Sequence, residues 1–145
     1  MIIREATDTD ISEIFEIEKE CFTSPWPYED FEYEVENEDS FFTVAVIDDL
    51  IVGFCIIRRT GDDGEITNIA VRKSHRGIGV GEKLLKSALD HVRDMKFQLV
   101  FLEVRQSNLA AIKLYEKYGF DHLSIRKGYY TEPDEDAITM VFRNM

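Results

Sequence analysis

Arg76-Gly77-Ile78-Gly79-Val80-Gly81, residues 76–81, separates two segments of opposite character. Before it, Glu65–Val71 is apolar and β-branched and reads as a strand. After it, Leu84, Leu85, Ala88 and Val92 line one side of a helix, and Lys83, Lys86, Asp90, Arg93 and Asp94 line the other. Glycines let the turn between them take positive φ and come close to a ligand. The first turn of the helix offers unpaired N–H groups and the positive end of its dipole, which together make an anion site. Arg76 adds charge and further donors.

Two phosphate motifs fail against this stretch. A Walker loop needs Gly-Lys-Ser/Thr, but Glu82 follows Gly81. A dinucleotide fingerprint begun at Gly77 meets Glu82 in its last position, and begun at Gly79 it meets Leu84. Two readings stay open: a glycine-rich turn that only starts a helix, and an anion site of another kind. Three glycines alternating within five residues exceed what a turn requires and favour the second.

Working outward, Met1–Glu5 reads as a short strand, and Thr7, Asp8 and Thr9 offer N-cap oxygens to a helix bearing Ile11, Ile14, Phe15 and Phe22. Thr23-Ser24-Pro25-Trp26-Pro27 breaks that helix, since both prolines lack an N–H. A second helix from about Tyr28 turns Phe31 and Val35 inward. Its acidic residues Glu29, Asp30, Glu32, Glu34, Glu36 and Glu38 are expected on a solvated face. Phe41–Ile47 and Ile51–Arg58 form a hairpin around Asp48-Asp49, and Gly61–Gly64 is expected as a polar loop. Leu99–Val104, nearly all apolar, is expected to be a strand covered on both faces. A helix from about Leu109 to Tyr118 ends at Gly119, and Asp121–Lys127 and Ala137–Arg143 are two more strands. This order implies an α/β fold: one domain over residues 1–145, a mixed sheet with about four helices on its faces.

Composition narrows the function. Hydrophobic residues make up 44% and charged residues 32%, ordinary values for a soluble globular protein. A net charge of −12 argues against a nucleic-acid footprint. It suits a cationic partner, and solubility accounts for it equally well. Cys21 and Cys55 fit no zinc spacing, and the three histidines are scattered. The N-terminus lacks the regions of a signal peptide, and no apolar stretch approaches the ~20 residues of a membrane helix. The expectation is a reduced, cytoplasmic protein with no metal, membrane or nucleic-acid partner.

The glycine turn resembles the Q/R-x-x-G-x-G/A signature of the GCN5-related N-acetyltransferase (GNAT) superfamily. Asn68-Ile69-Ala70-Val71, Leu102-Glu103-Val104-Arg105, Asn108-x-x-Ala111-Ile112-x-Leu114-Tyr115-Glu116 and Tyr118-Gly119-Phe120 resemble its ribosomal-protein-alanine N-acetyltransferase (RimI-like) branch. Arg126-Lys127-Gly128-Tyr129-Tyr130 and Glu135-Asp136-Ala137 extend the likeness, which is dense from Asn68 to Met140 and thinner before that, where Pro25-Trp26 is its main point. The resemblance implies the GNAT acyl-CoA N-acyltransferase fold, with the strands holding Ile69–Val71 and Leu102–Val104 splayed apart. It implies acetyl-CoA as co-substrate, its pantetheine arm paired with the backbone of Ile69, Ala70 and Val71. The amides of Gly77, Ile78, Gly79, Val80, Gly81 and Glu82, with Arg76, would hold its pyrophosphate, and Asn108 would contact it near the next helix.

Acetyl transfer to an amine needs a neutral amine, a stabilised oxyanion and a proton for the leaving thiolate. An α-amino group, with a pKa of about 7.7–8.0, needs only a modest base. Glu103 interrupts an apolar strand, where an unpaired buried charge is costly. It is either that base, the role the resemblance gives it, or a strand-end residue paired with Arg105. Glu65, at the start of the strand facing the cofactor, is the rival base. Tyr115 is either the acid, as the resemblance implies, or a core aromatic sharing helical spacing with Ala111, Leu114 and Tyr118. A backbone N–H near Val71 is the natural oxyanion donor. Trp26 and Tyr130 could line the acceptor channel, and Trp26 could equally pin its loop to the core.

The implied activity is acetylation of a protein N-terminus, in this branch the N-terminal alanine of a ribosomal protein. The alternatives are a transferase for lysine side chains or polyamines, and a non-catalytic acetyl-CoA-binding module. Glu103 and Tyr115 argue against the last.

Overall fold

The computed structural model describes residues 1–145. Its strands are β1 (Ile2–Glu5), β2 (Ser40–Ile47), β3 (Leu50–Thr60), β4 (Asp63–Val71), β5 (Leu99–Arg105), β6 (Phe120–Tyr130) and β7 (Glu135–Arg143). Its helices are α1 (Ile11–Cys21), α2 (Tyr28–Glu36), α3 (Val80–Asp94) and α4 (Leu109–Lys117), in the expected order along the chain. Short 3-10 turns at Asp8–Asp10 and Lys73–His75 precede α1 and the glycine turn. No helix is long and apolar enough to cross a membrane.

The seven strands form one sheet in the order β1-β2-β3-β4-β5-β7-β6. Every neighbouring pair is antiparallel except β4–β5. That parallel contact is brief, joining only Gly64 to Val100 and Glu65 to Phe101. The reason lies on the other edge of β4. Ile57 pairs with Ile66 and Ile56 with Asn68, so Thr67 is an extra residue, a β-bulge. A bulge bends its strand and increases its twist. Here it comes two residues after the last β4–β5 pair, and the two strands splay beyond it.

At the closed end of the splay, a Cβ on Gly64 would lie 2.8 Å from the Phe97 ring. Only glycine lets β4 run this close to the connection between α3 and β5. Gly64 is therefore inside the strand, and the loop expected over Gly61–Gly64 shrinks to a two-residue turn between the paired Thr60 and Asp63.

Helices cover both faces of the sheet. On one, Ile11, Ile14 and Ile17 of α1 and Phe31 of α2 pack on Phe42, Phe54 and Ile56. On the other, Leu84, Leu85, Ala88, Leu89 and Val92 of α3 join Val52, Cys55, Ile57 and Val100, and α4 adds Ile112 and Tyr115. Each fully buried side chain of this size contributes roughly 1.5–3 kcal/mol of transfer free energy.

Three expectations change. β5 is covered on one face: Val100, Leu102 and Val104 are buried, while Phe101, Glu103 and Arg105 are half-buried. The core under α1 and α2 draws its sheet residues only from β2, β3 and β4, which leaves the far face of β5 open. Phe22 is outside the apolar stripe of α1; it ends the helix in extended conformation and is 39% exposed. Glu34 leaves the solvated face of α2. It lies one turn from Phe31, is 1% exposed, and bonds to the Arg58 guanidinium and the Ser40 hydroxyl. Glu34→Ala removes the partner of the part-exposed Arg58 and leaves a small hole, and should cost about 1.5–2 kcal/mol in urea denaturation. Glu32→Ala on the exposed side should stay within about 0.5 kcal/mol.

Candidate functional site

The glycine turn ends in α3, and its conformation depends on glycine. Gly79 is the N-cap residue with φ +90°, and Gly77 has φ +80°. A Cβ at either would meet nothing within 4 Å, so the concave side of the turn is open. The first bond of the helix runs from Lys83 N–H to Gly79 O at 3.1 Å, which leaves the amides of Val80, Gly81 and Glu82 without an intrahelical acceptor. Arg76 does not reach over the turn. Its Nε donates to Val71 O at 3.2 Å, and Nη2 lies 3.3 Å from Cys21 Sγ. Glu82 faces α4, where Lys117 Nζ donates to it at 2.7 Å and holds its carboxyl below the usual range.

A cavity of about 640 Å³ opens between the splayed strands. It brings together Glu65, Ile69, Glu103, Asn108, Tyr115, Trp26 and Tyr130 from five segments of the chain. The glycine turn, Ala70 and Val71 are outside its lining. The β4 backbone still reaches the open edge, by alternation. Arg72 N–H donates to Val52 O, so Ala70, two residues earlier, also bonds toward β3. Ile69 and Val71 therefore point their backbone groups the other way, toward the splay. The Val71 carbonyl is taken by Arg76 and by the Cys21 thiol at 3.3 Å; its N–H is not.

Glu103 occupies the open part of the splay, two residues beyond the last β4–β5 pair, whereas Glu65 is part of that pair. Its Oε1 is 3.5 Å from Arg126 Nη1, and its Oε2 is buried with no hydrogen-bond partner. The expected alternative, a pair with Arg105, does not form. Arg105 instead bonds to Glu135 at 3.1 Å and to the carbonyls of Thr131 and Pro133 at 3.0 Å, and its guanidinium lies 4.5 Å from the Tyr130 ring. Burial pushes the Tyr130 phenol up to about 12. Tyr115 is 6% exposed, and burial raises its phenol further. Asn108 caps α4 through Oδ1, which accepts Ala111 N–H at 3.2 Å. Trp26 packs 5.5 Å from Phe31 and also lines the cavity. Both cysteines are free, and burial pushes the Cys55 thiol up to about 12.

Two cavity side chains escaped the sequence reading. Arg105 anchors the β6–β7 turn beside the cavity, and only its place two residues after Glu103 hinted at the site. Glu18 of α1 is buried against Asn68. In sequence it is one acidic residue among several on an amphipathic helix.

Comparison with known proteins gives concordant results. The sequence profile of the Acetyltransferase (GNAT) family matches residues 11–120. A candidate ribosomal protein bS18-alanine N-acetyltransferase of Bacillus subtilis (strain 168) is 41% identical over 132 residues, 90% of this chain and 87% of that one. The ribosomal protein bS18-alanine N-acetyltransferase of Haemophilus influenzae is 32% identical over 142 residues, 96% of each chain. The crystal structure of the ribosomal-protein-S18-alanine N-acetyltransferase from Escherichia coli superposes with a TM-score of 0.90 at 31% identity, covering 98% of this chain and 92% of that one.

Proposed function

The chain belongs to the GNAT acetyltransferase family and is an acetyl-CoA-dependent N-acetyltransferase; we propose that it acetylates the N-terminal amine of a protein, with the N-terminal alanine of a ribosomal protein as acceptor. The observation that carries this reading is the buried, partnerless Oε2 of Glu103 on the wall of the splay. The relatives named for this reaction support the choice of acceptor. The work is cytoplasmic, where ribosomal proteins are made.

In this reading the pyrophosphate of acetyl-CoA rests on the free amides of the α3 turn, and the pantetheine arm pairs with the open backbone groups of Ile69 and Val71. Glu103 Oε2 takes a proton from the acceptor ammonium, directly or through one water. The amine nitrogen then attacks the thioester carbonyl, forming C–N, and the Val71 N–H steadies the oxyanion. As the C–S bond breaks, Tyr115 gives its proton to the leaving thiolate. That transfer is uphill in water, since a thiol titrates near 8.5 and a phenol near 10. In the desolvated site the bare thiolate is disfavoured as well.

Besides the buried Glu18, the cavity wall carries the carboxylates Glu65, Glu103 and Glu135 against the single cation Arg105. This field draws an ammonium group, and an N-terminus, a lysine or a polyamine each carries one. A peptide beginning with alanine should be acetylated faster than spermidine; faster turnover on spermidine would overturn the choice of acceptor. Glu103→Gln and Tyr115→Phe should each lower kcat/KM about 10²- to 10⁴-fold with acetyl-CoA affinity nearly intact, and unchanged turnover removes that residue from the mechanism. Gly79→Val forces a branched side chain to φ +90°. It should raise the KM for acetyl-CoA about tenfold, in line with 1–2 kcal/mol of left-handed strain. The pH profile has a sign. The kcat/KM should rise through about pH 7.7–8.0 as the acceptor amine loses its proton. The falling limb, from loss of the Tyr115 proton, should come above the usual tyrosine range, because burial raises that phenol.

A further inference from the structure

Glu18 plays no part in the chemistry above, yet it is the most deeply buried carboxylate of the cavity wall, 2% exposed. Its Oε2 accepts the Trp26 N–H at 3.0 Å, and the Asn68 Nδ2 lies 3.2 Å from Oε1 and 3.5 Å from Oε2. No lysine or arginine side chain is paired with it, and a charge buried without a cation opposes folding. Burial raises its carboxyl accordingly. A residue that costs the fold this way and joins three separate segments points to a role in holding them together.

The segments matter for the acceptor. Of Pro25, Trp26 and Pro27, only Trp26 has an amide hydrogen, so its N–H is the one backbone donor by which this stretch can be fastened. Glu18 takes it. The Trp26 ring is thereby set against the cavity on one side and Phe31 on the other. Asn68, the second partner, is the residue directly after the Thr67 bulge, where β4 turns away from β5. One carboxylate thus spans α1, the acceptor-side loop and the point at which the splay begins.

We propose that Glu18 is a positioning residue that clamps the Pro25–Pro27 loop to β4 and so sets the acceptor wall of the cavity. This rests on the acetyltransfer reading for its kinetic consequence, but the clamp is also readable without turnover, because Trp26 is the only tryptophan in the chain. Its fluorescence reports the loop directly. Glu18→Ala should shift the Trp26 emission to the red, increase its quenching by acrylamide, and raise the KM for an alanine-initial peptide about tenfold, the loss expected for one hydrogen bond to a charged group. The kcat and the KM for acetyl-CoA should stay within about twofold of the parent.

Glu18→Gln is the conservative rescue. Its amide oxygen can accept the Trp26 N–H while its amide nitrogen donates to Asn68 Oδ1, which is buried and has no partner. Emission and acceptor KM should return to near the parent values. If the hole left by alanine unfolds the chain, Glu18→Met fills the space without acceptors and carries the same test. Two outcomes overturn the proposal: parent-like emission and acceptor KM in Glu18→Ala, or Glu18→Gln as damaging as Glu18→Ala, which would mean that the negative charge, and not the clamp, is what the site uses. If no peptide is acetylated at all, the acceptor assignment fails, and the emission of the two variants still decides the clamp.

Discussion

One extra residue in one strand organises the molecule. Thr67 interrupts the β3–β4 ladder two residues after the last β4–β5 pair, and the bend it imposes ends a parallel pairing that would otherwise seal the centre of the sheet. The N–H groups of Ile69 and Val71 and the Ile69 carbonyl are left facing a cleft, where they need partners from water or a ligand. Glu103 comes to lie on the exposed part of β5 instead of under a neighbour. The glycine turn, a few residues on, then brings the N-terminus of α3 to the end of the same strand. The cleft, the carboxylate on its wall and the proposed anion site all follow from that bend.

The two sides of the cleft are built differently. On the proposed function the cofactor side is mostly main chain: a strand edge, a turn at positive φ and the first amides of a helix. The proposed acceptor side is mostly side chain, contributed by Glu18, Trp26, Arg105 and Tyr130 from distant parts of the sequence and held by Glu18 to Trp26 N–H and by Arg105 to Thr131 O and Pro133 O. A main-chain site tolerates many side chains provided the glycines are kept. A side-chain site changes with each substitution, so acceptor choice is the more variable property of this architecture.

That contrast also explains what could be read before the fold was known. Gly77 and Gly79 declare themselves because only glycine takes their φ without strain, and Glu103 because a charge stands out in an apolar strand. The element order followed from periodicity and turn residues. Glu18 and Glu34 were hidden, since an acidic residue on an amphipathic helix looks the same whether it faces water or docks on a sheet. Only the packing of α1 and α2 buries them. β5 misled in the opposite sense: Leu99–Val104 is apolar enough for two covered faces, but the helices of one layer stop at β4. The bulge carries no local signal, because Thr67 is a good strand residue whose displacement comes from pairing partners elsewhere.

The central claim is that the bulge opens β4 to receive acetyl-CoA as an additional strand. Residue-resolved amide hydrogen exchange by NMR, with and without acetyl-CoA, tests it most directly. Slowed exchange at Ile69 and Val71 and in the first turn of α3, with Ala70 unchanged because it already bonds to β3, is the predicted result. Saturating acetyl-CoA that leaves Ile69 and Val71 exchanging at their free rates would contradict it.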